Sequence, residues 1–177
     1  PEFINKRVPF KFWGVDLVFD LSQQLFSSFD VDRGTRLLLK TLAQHGEPES
    51  WKSILDVGCG VGVLAVSLAR RFPDVPVEGV DRDALALAVS RANARLNRAG
   101  NTVFHGDLVL CSADDRRYDL AVSNLPAKAG APVLAAMIAG LSVLAGMAAV
   151  VVVASLADQI ERAIGEAGAE VVYCERT

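Results

Sequence analysis

Ile54-Leu55-Asp56-Val57-Gly58-Cys59-Gly60-Val61-Gly62-Val63-Leu64-Ala65 is the stretch that decides the fold of this chain. Ile54, Leu55 and Val57 form the short apolar run that a strand covered on both faces requires. Gly58, Gly60 and Gly62 then occupy alternate positions. Glycine there permits backbone angles closed to other residues and lets a ligand approach the bare main chain. Leu64, Ala65, Leu68 and Phe72 follow at helical spacing. A strand, a glycine turn and a helix N-terminus together present N–H groups and the positive end of a helix dipole. That combination suits the charged tail of a nucleotide-like cofactor.

Working outward, the pattern alternates between strands and helices. Strands are expected near 53–57, 75–81, 101–106, 118–123, 148–154 and 169–175, and helices near 63–72, 83–98, 131–145 and 156–167. A further helix runs from an N-cap at Asp32 to about residue 45 and closes at Gly46. The last helix opens with Ser155-Leu156-Ala157-Asp158, a variant of the capping box, and ends at Gly168. Alternation of this kind defines an α/β chain with an open, doubly wound, mostly parallel sheet and helices on both faces. A ligand then belongs at the carboxyl ends of the first strands, near the topological switch point. Residues 8–22 alternate apolar and polar around Gly14-Val15, which predicts a small β-hairpin ahead of the core. The division expected is an N-terminal extension with the hairpin over 1–23 and one cofactor-binding domain over 24–177.

Chemistry-bearing residues fall at the ends of the predicted strands. Asp81 closes the second strand, 21 positions after Gly60, where a carboxylate accepts hydrogen bonds from ribose hydroxyls. The other role open to Asp81 or Asp83 is the N-cap of the next helix; Asp83 fits that cap, which leaves Asp81 for the ribose, with Arg82 beside it. Asp107 closes the third strand, either as a ligand contact or as the cap of a short turn. His105, with no partner cluster in the sequence, reads as an ordinary strand or loop residue. The fourth strand runs out into Asn124-Leu125-Pro126-Ala127-Lys128. Gly60 to Ala65 fits the G-x-G-x-x-G/A dinucleotide pattern, but Asp56, two residues before Gly58, points to a different cofactor.

Asp56-Val57-Gly58-Cys59-Gly60 resembles the D-x-G-x-G turn of class I S-adenosylmethionine-dependent methyltransferases. The resemblance implies a Rossmann-like methyltransferase fold with S-adenosylmethionine as cofactor. Asp56 would help to hold its amine, or would only brace the loop. The backbone of Gly58, Cys59, Gly60 and Gly62 would meet its carboxylate, Asp81 and Arg82 its ribose, and Asp107 its adenine. Asn124-Leu125-Pro126-Ala127 resembles the N-P-P-[FYW] motif of enzymes that methylate exocyclic or amide nitrogens. Asn124 and Pro126 would then be catalytic, the Asn oxygen and a main-chain carbonyl accepting from the target N–H groups, with proline stiffening the turn. Leu125 stands where that motif has its first proline and Ala127 where it has an aromatic.

The upstream run from Gln24 to Leu39, with Phe26-Ser27 and Asp32-Arg33-Gly34-Thr35, is similar to the "methyltransferase small" group. That group includes the bacterial ribosomal RNA guanine-N2 methyltransferases. The resemblance covers about residues 24 to 158. It implies that Phe26, Asp32 and Thr35 lie over the cofactor or target pocket, Thr35 as a cofactor contact. Phe26 and Phe29 are the candidates to stack on a base in place of the aromatic missing at Ala127, with Lys128 nearby. Core packing is the other role open to each phenylalanine. The family's sheet normally carries a seventh, antiparallel strand after the sixth. Either the sequence stops short of it or the N-terminal hairpin takes its place.

Bulk properties fit a compact enzyme. At 177 residues and 51% hydrophobic, one domain with a sizeable core is expected. Cys59, Cys111 and Cys174 form neither a disulfide framework nor a metal-binding spacing. No signal-peptide pattern opens the sequence, so a cytoplasmic location is expected. A net charge of −3 is not the footprint of a strong nucleic-acid binder, though Lys6, Arg7, Lys11, Arg33, Arg36 and Lys128 offer a local basic patch. No charged residue occurs from Ala129 to Ala157. Pro132, Gly140 and Gly146 interrupt that run, which reads as a buried helix, a turn at Gly146 and a core strand rather than a membrane span.

The function expected is transfer of the sulfonium methyl of S-adenosylmethionine to a nitrogen, guanine N2 in ribosomal RNA being the best single acceptor. No membrane and no metal take part, and a monomer is favoured. The alternatives are a cofactor-binding module with weak or no catalysis, and a nitrogen methyltransferase acting on a protein or small molecule. An NAD-dependent oxidoreductase is disfavoured by Asp56 and by Asn124-Leu125-Pro126.

Overall fold

The computed structural model describes residues 4–25, 29–107 and 118–176. Phe26 and Cys111 lie outside the described residues. Seven strands and five α-helices follow in the order β1 (Lys6–Phe12), β2 (Val15–Leu21), α1 (Arg33–His45), β3 (Ile54–Val57), α2 (Val63–Arg71), β4 (Val77–Asp81), α3 (Ala84–Leu96), β5 (Thr102–Gly106), β6 (Tyr118–Asn124), α4 (Ala131–Leu144), β7 (Ala145–Val151) and α5 (Ala157–Glu166). Strands β5-β4-β3-β6-β7 form one five-stranded parallel sheet. Chain order runs outward from β3 to β5, then crosses back to β6. The switch point therefore lies between β3 and β6, where such sheets open a crevice at their carboxyl ends.

Two apolar layers cover this sheet. One face carries α1, α2 and α3 around Ile54, Val77, Phe104, Leu120 and Val122. The other carries α4 and α5 around Leu55, Val57, Val80 and Ala121. β3 is buried along its whole length, Asp56 included, as a central parallel strand is. Helix α2 is buried from Val63 to Ala69, including the side that normally meets water. The cause is the hairpin, which packs β2 over α2 and α3 and inserts Phe10, Phe12, Phe19 and Leu21 into the same core. Its two-residue turn is Trp13-Gly14, with φ of 44° and 82°, rather than the Gly14-Val15 of the sequence reading. Trp13 is held there edge-on to Phe72 at 5.7 Å and under the Arg71 guanidinium at 4.8 Å.

The outer edge of β2 is satisfied by side chains. Asn97 of α3 accepts from the Val18 N–H at 2.9 Å and donates to the Val18 carbonyl at 2.7 Å. Asn93 does the same for Asp20, at 2.8 and 3.0 Å, and also donates to the Val61 carbonyl in the glycine turn at 2.8 Å. The hairpin thus forms its own two-stranded sheet, tied to the site but separate from the main one. It does not stand in for a seventh strand.

Three further expectations are corrected. Residues 169–175 are not a strand: Val171, Val172 and Tyr173 are exposed, and no ladder joins them to β7. A strand needs at least one neighbour to take up its N–H and C=O groups. This segment instead stacks Tyr173 on His45 of α1 at 4.1 Å between ring centres and pairs Arg176 with Asp158 and Glu161 of α5 at 3.0 and 2.7 Å. Ser155 does not cap α5, because it sits inside a 3₁₀ turn over Ala154–Leu156 and Leu156 occupies the N-cap with no side-chain bond. Gly146 is not a turn but a residue of β7. Ala145 is already extended, at φ −128° and ψ 143°, so α4 ends and β7 begins without a linker. The uncharged run from 129 to 157 is accordingly α4 and β7, and among the described residues no helix is long and apolar enough to cross a membrane. Gly168 does end α5, with φ of 71° and the paired bonds Gly168 N–H to Gly165 and Ala169 N–H to Ile164 that mark a left-handed helix stop.

Candidate active site

The turn after β3 is fixed from below by β4. The N–H groups of Gly58 and Cys59 both donate to the Val80 carbonyl, at 2.8 and 3.0 Å, and Gly62 N–H donates to the Cys59 carbonyl at 2.8 Å. Gly58, Gly60 and Gly62 take φ of 71°, 54° and 84°, the left-handed region that costs other residues roughly 1–2 kcal/mol each. Their surroundings separate them. A side chain at Gly58 or Gly60 would enter open space, whereas one at Gly62 would lie 2.9 Å from Ser90 Cβ. Gly62 therefore lets α2 pack on α3, and Gly58 and Gly60 leave an open cradle over the main chain. Cys59 turns its buried thiol inward to Ser90, and that burial holds its pKa well above the ordinary thiol range. Its N–H and carbonyl are both engaged within the turn, so the contact with a cofactor carboxylate expected of the Cys59 backbone is not offered here.

Two carboxylates bracket this cradle. Asp81, at the end of β4, accepts from Gly60 N–H at 2.8 Å and from Asp83 N–H at 2.9 Å. It is therefore held in place rather than left free, although each oxygen keeps a second acceptor direction. Asp83 caps α3 by accepting from Leu85 N–H at 2.8 Å. Arg82 between them is exposed, and Asp107, just past the neighbouring strand β5, donates its N–H to the Asp81 carbonyl at 3.2 Å. Asp56 lies beneath the turn, 1% exposed, where Oδ2 accepts from Ala65 N–H in the first turn of α2 at 3.0 Å. Its Oδ1 is buried with no hydrogen-bond partner. Burial, opposed by the Ala65 bond and reinforced by the Asp81 charge, raises the Asp56 pKa to about 7.

Across the switch point stands Asn124. The β3–β6 register pairs Asp56 with Val122, so Asn124 emerges level with Gly58. Its amide nitrogen donates to Asp32 Oδ2 at 2.8 Å and to Thr35 Oγ1 at 3.0 Å. Asp32 also accepts from Thr35 N–H at 3.1 Å as the N-cap of α1. Because the nitrogen faces a carboxylate, the amide assignment is unambiguous and Asn124 Oδ1 is left as an acceptor. Thr35 is buried against Asn124. Leu125 extends the β6–β7 ladder by donating to the Val151 carbonyl at 2.9 Å and buries its side chain against α4. A proline could make no such bond, which explains the departure at this position. Pro126, Ala127 and Lys128 are exposed in a turn closed by Ala129 N–H on the Pro126 carbonyl at 3.0 Å.

Phe29 is 67% exposed, which removes core packing as its role. Its carbonyl accepts from Lys6 Nζ at 2.8 Å. The expected basic patch is largely neutralised: Arg7 pairs with Asp20 at 2.7 Å, Lys11 with Asp16 at 3.6 Å and Arg36 with Asp30 at 2.8 Å. His105 faces Glu78 across β4 and β5 at 3.1 Å, and no cluster among the described residues could hold a metal ion. What sequence reasoning missed is the partnership of Asp32 and Thr35 with Asn124. The residues lie 92 and 89 positions apart, and no local pattern signals such a contact.

The chain is similar in sequence and fold to known proteins. Ribosomal RNA small subunit methyltransferase C of Escherichia coli (strain K12 / DH10B) is 37% identical over 120 residues, 66% of this chain and 33% of that protein. The protein of the same name from Buchnera aphidicola subsp. Baizongia pistaciae is 30% identical over 127 residues, 71% of this chain and 37% of that one. The chain thus spans about a third of the length of these curated relatives. The fold superposes on the T. thermophilus 16S rRNA N2 G1207 methyltransferase, solved in complex with AdoMet and guanosine, with a TM-score of 0.72 and 23% identity, over 90% of this chain and 46% of that one. Residues 16–171, from the second hairpin strand to beyond α5, match the methyltransferase small domain, and the chain belongs to that family.

Proposed function

We propose that this domain binds S-adenosylmethionine and positions guanine N2 of ribosomal RNA for methylation. The observation that carries the reading is one juxtaposition. An open glycine cradle at the end of β3 faces an asparagine at the end of β6 whose amide nitrogen is committed and whose oxygen accepts no hydrogen bond among the described residues. When bound, the cofactor supplies an electrophilic methyl group on a sulfonium. The residues fit it: Gly58 and Gly60 leave room for an amino-acid tail, Asp56 Oδ1 is a buried acceptor without a partner, and Asp81 is oriented by two backbone donors toward the ribose position. An exocyclic amine has N–H groups to offer and a lone pair delocalised into its ring. Asn124 Oδ1 accepts one N–H and turns the nitrogen toward the methyl group, a positioning that lowers such a barrier substantially. A base in a duplex must be flipped out to reach it. The relatives' names, given to proteins of which this chain matches about a third, support the acceptor but belong to those proteins.

Calorimetry checks the cofactor. S-adenosylmethionine and S-adenosylhomocysteine are expected to bind and NAD is not. Asp81→Ala is expected to weaken S-adenosylhomocysteine by about 1–3 kcal/mol, the usual cost of leaving polar partners unpaired. Tight NAD binding with no response to S-adenosylhomocysteine would refute the reading.

Exposed Phe29 supports a stacking role toward the acceptor. Base–aromatic stacking is worth about 1–3 kcal/mol. Phe29→Leu is expected to weaken binding of a guanine-containing RNA by about that amount with the melting temperature unchanged. Equal RNA affinity in the two proteins would remove Phe29 from the acceptor site.

A further inference from the structure

We infer that Asp32, Gly34 and Thr35 form a positioning device for Asn124, setting the direction of its amide and strengthening its oxygen as an acceptor for a nitrogen that becomes cationic. The inference rests on the methylation reading for its chemistry and on the apo geometry for its structure.

The geometry accounts for each member of the Asp32-Arg33-Gly34-Thr35 run. Asp32 caps α1 with the same oxygen, Oδ2, that receives the Asn124 amide. Thr35 offers its hydroxyl oxygen to that amide from the first turn of α1. Gly34 supplies the room. A Cβ at this position would lie 2.9 Å from Asp32 Oδ2 and 3.4 Å from both methyl groups of Val151 on β7. Gly34 has no left-handed backbone angle to explain it, so its lack of a side chain serves the carboxylate. An N-cap alone needs no second partner 92 residues away.

The chemistry follows from amide resonance. A carboxylate at Nδ2 draws positive charge onto that nitrogen and leaves more negative charge on Oδ1. As the acceptor nitrogen forms its bond to the methyl carbon, the C–S bonding pair stays with sulfur and the positive charge passes to nitrogen. The N–H proton lost afterwards goes to water. The N–H held by Oδ1 becomes more acidic during that step, so an enriched acceptor stabilises the transition state more than the ground state. An acceptor oxygen so arranged favours N–H-bearing substrates over hydroxyl-free carbon or thioether acceptors.

Gly34→Ala tests the device without removing any of its polar groups. Alanine is the better helix former, which offsets part of the cap weakened when Oδ2 moves, so the fold should hold with only a small change in melting temperature. Its methyl displaces the Asp32 carboxylate from Asn124. We expect the Asn124 side-chain amide resonance in ¹H–¹⁵N spectra of the cofactor-free protein to move, S-adenosylhomocysteine affinity to stay the same, and kcat on guanine RNA to fall at least tenfold with KM little changed. Asp32→Asn retains a capping oxygen and removes only the charge. It should keep the wild-type melting temperature and show a smaller loss of kcat than Gly34→Ala. Wild-type turnover and an unmoved Asn124 resonance in Gly34→Ala would overturn the inference and leave Asp32 a helix cap. An Asn124 resonance that moves in both variants, with the wild-type protein itself inactive on guanine RNA, would uphold the device and overturn the methylation reading instead.

Discussion

Asn124→Ala should lower kcat on a guanine-containing RNA roughly 100- to 1,000-fold while S-adenosylhomocysteine binds almost as before. The magnitude is that of deleting one preorganised polar group aimed at charge developing in a transition state. The selectivity of the effect follows from geometry. Asn124 sits on β6 and the glycine cradle on β3, and the amide nitrogen is already committed to Asp32 and Thr35. Removing the side chain takes an acceptor from the reacting nitrogen but takes nothing from the cradle or from Asp81. Loss in kcat and in kcat/KM together, without loss of cofactor affinity, is the signature of an interaction made in the transition state. Parallel loss of cofactor binding would instead place Asn124 in the cofactor site, and equal turnover in the two proteins would refute its role.

The cradle was legible in the sequence because its causes are local. A buried strand, three alternating glycines and an apolar helix fix each other within a dozen residues, and all three glycines adopt the left-handed angles that only glycine takes cheaply. Asp83 as a cap and Asp32 as a cap were equally legible, since a cap bonds within its own first turn. Long-range facts were not. Nothing near Leu125 says that its N–H completes the β6–β7 ladder, and nothing near Asp81 says that Gly60, 21 positions away, orients its carboxylate. Segment 169–175 has the β-branched residues of a strand, but strand formation is decided by available partners, and its side chains find α1 and α5. The spacing of Leu64, Ala65, Leu68 and Phe72 predicts one buried stripe for α2, and the hairpin, distant in sequence, buries the rest of its surface.

The last expectation concerns Asp56, whose carboxyl is fully buried and bonded on one oxygen only. Its pKa rises from 3.8 to about 7 in the folded protein, chiefly through burial. Between about pH 4 and pH 7 the native state therefore holds a proton that the unfolded chain has released. Stability from this group is fully present below about pH 4, declines as the pH rises toward 7, and is lowest above it, by on the order of 4 kcal/mol. Asp56→Asn stays neutral throughout. It keeps an oxygen for Ala65 N–H and places an unpaired donor where Oδ1 was, at a cost of about 1–3 kcal/mol. The cofactor-free variant should thus be more stable than wild type at pH 8 by about 1–3 kcal/mol and less stable at pH 4. Denaturant melts of the two proteins from pH 4 to 8 measure the difference, and taking it between them cancels the titration of every other carboxylate. A difference that does not change with pH would show that Asp56 ionises normally. Saturation with S-adenosylmethionine extends the test to function: an ammonium at the cradle favours the charged carboxylate, so the wild-type curve should lose most of its decline between pH 4 and 7. The buried, half-satisfied acid would then be a liability of the empty protein that its ligand relieves.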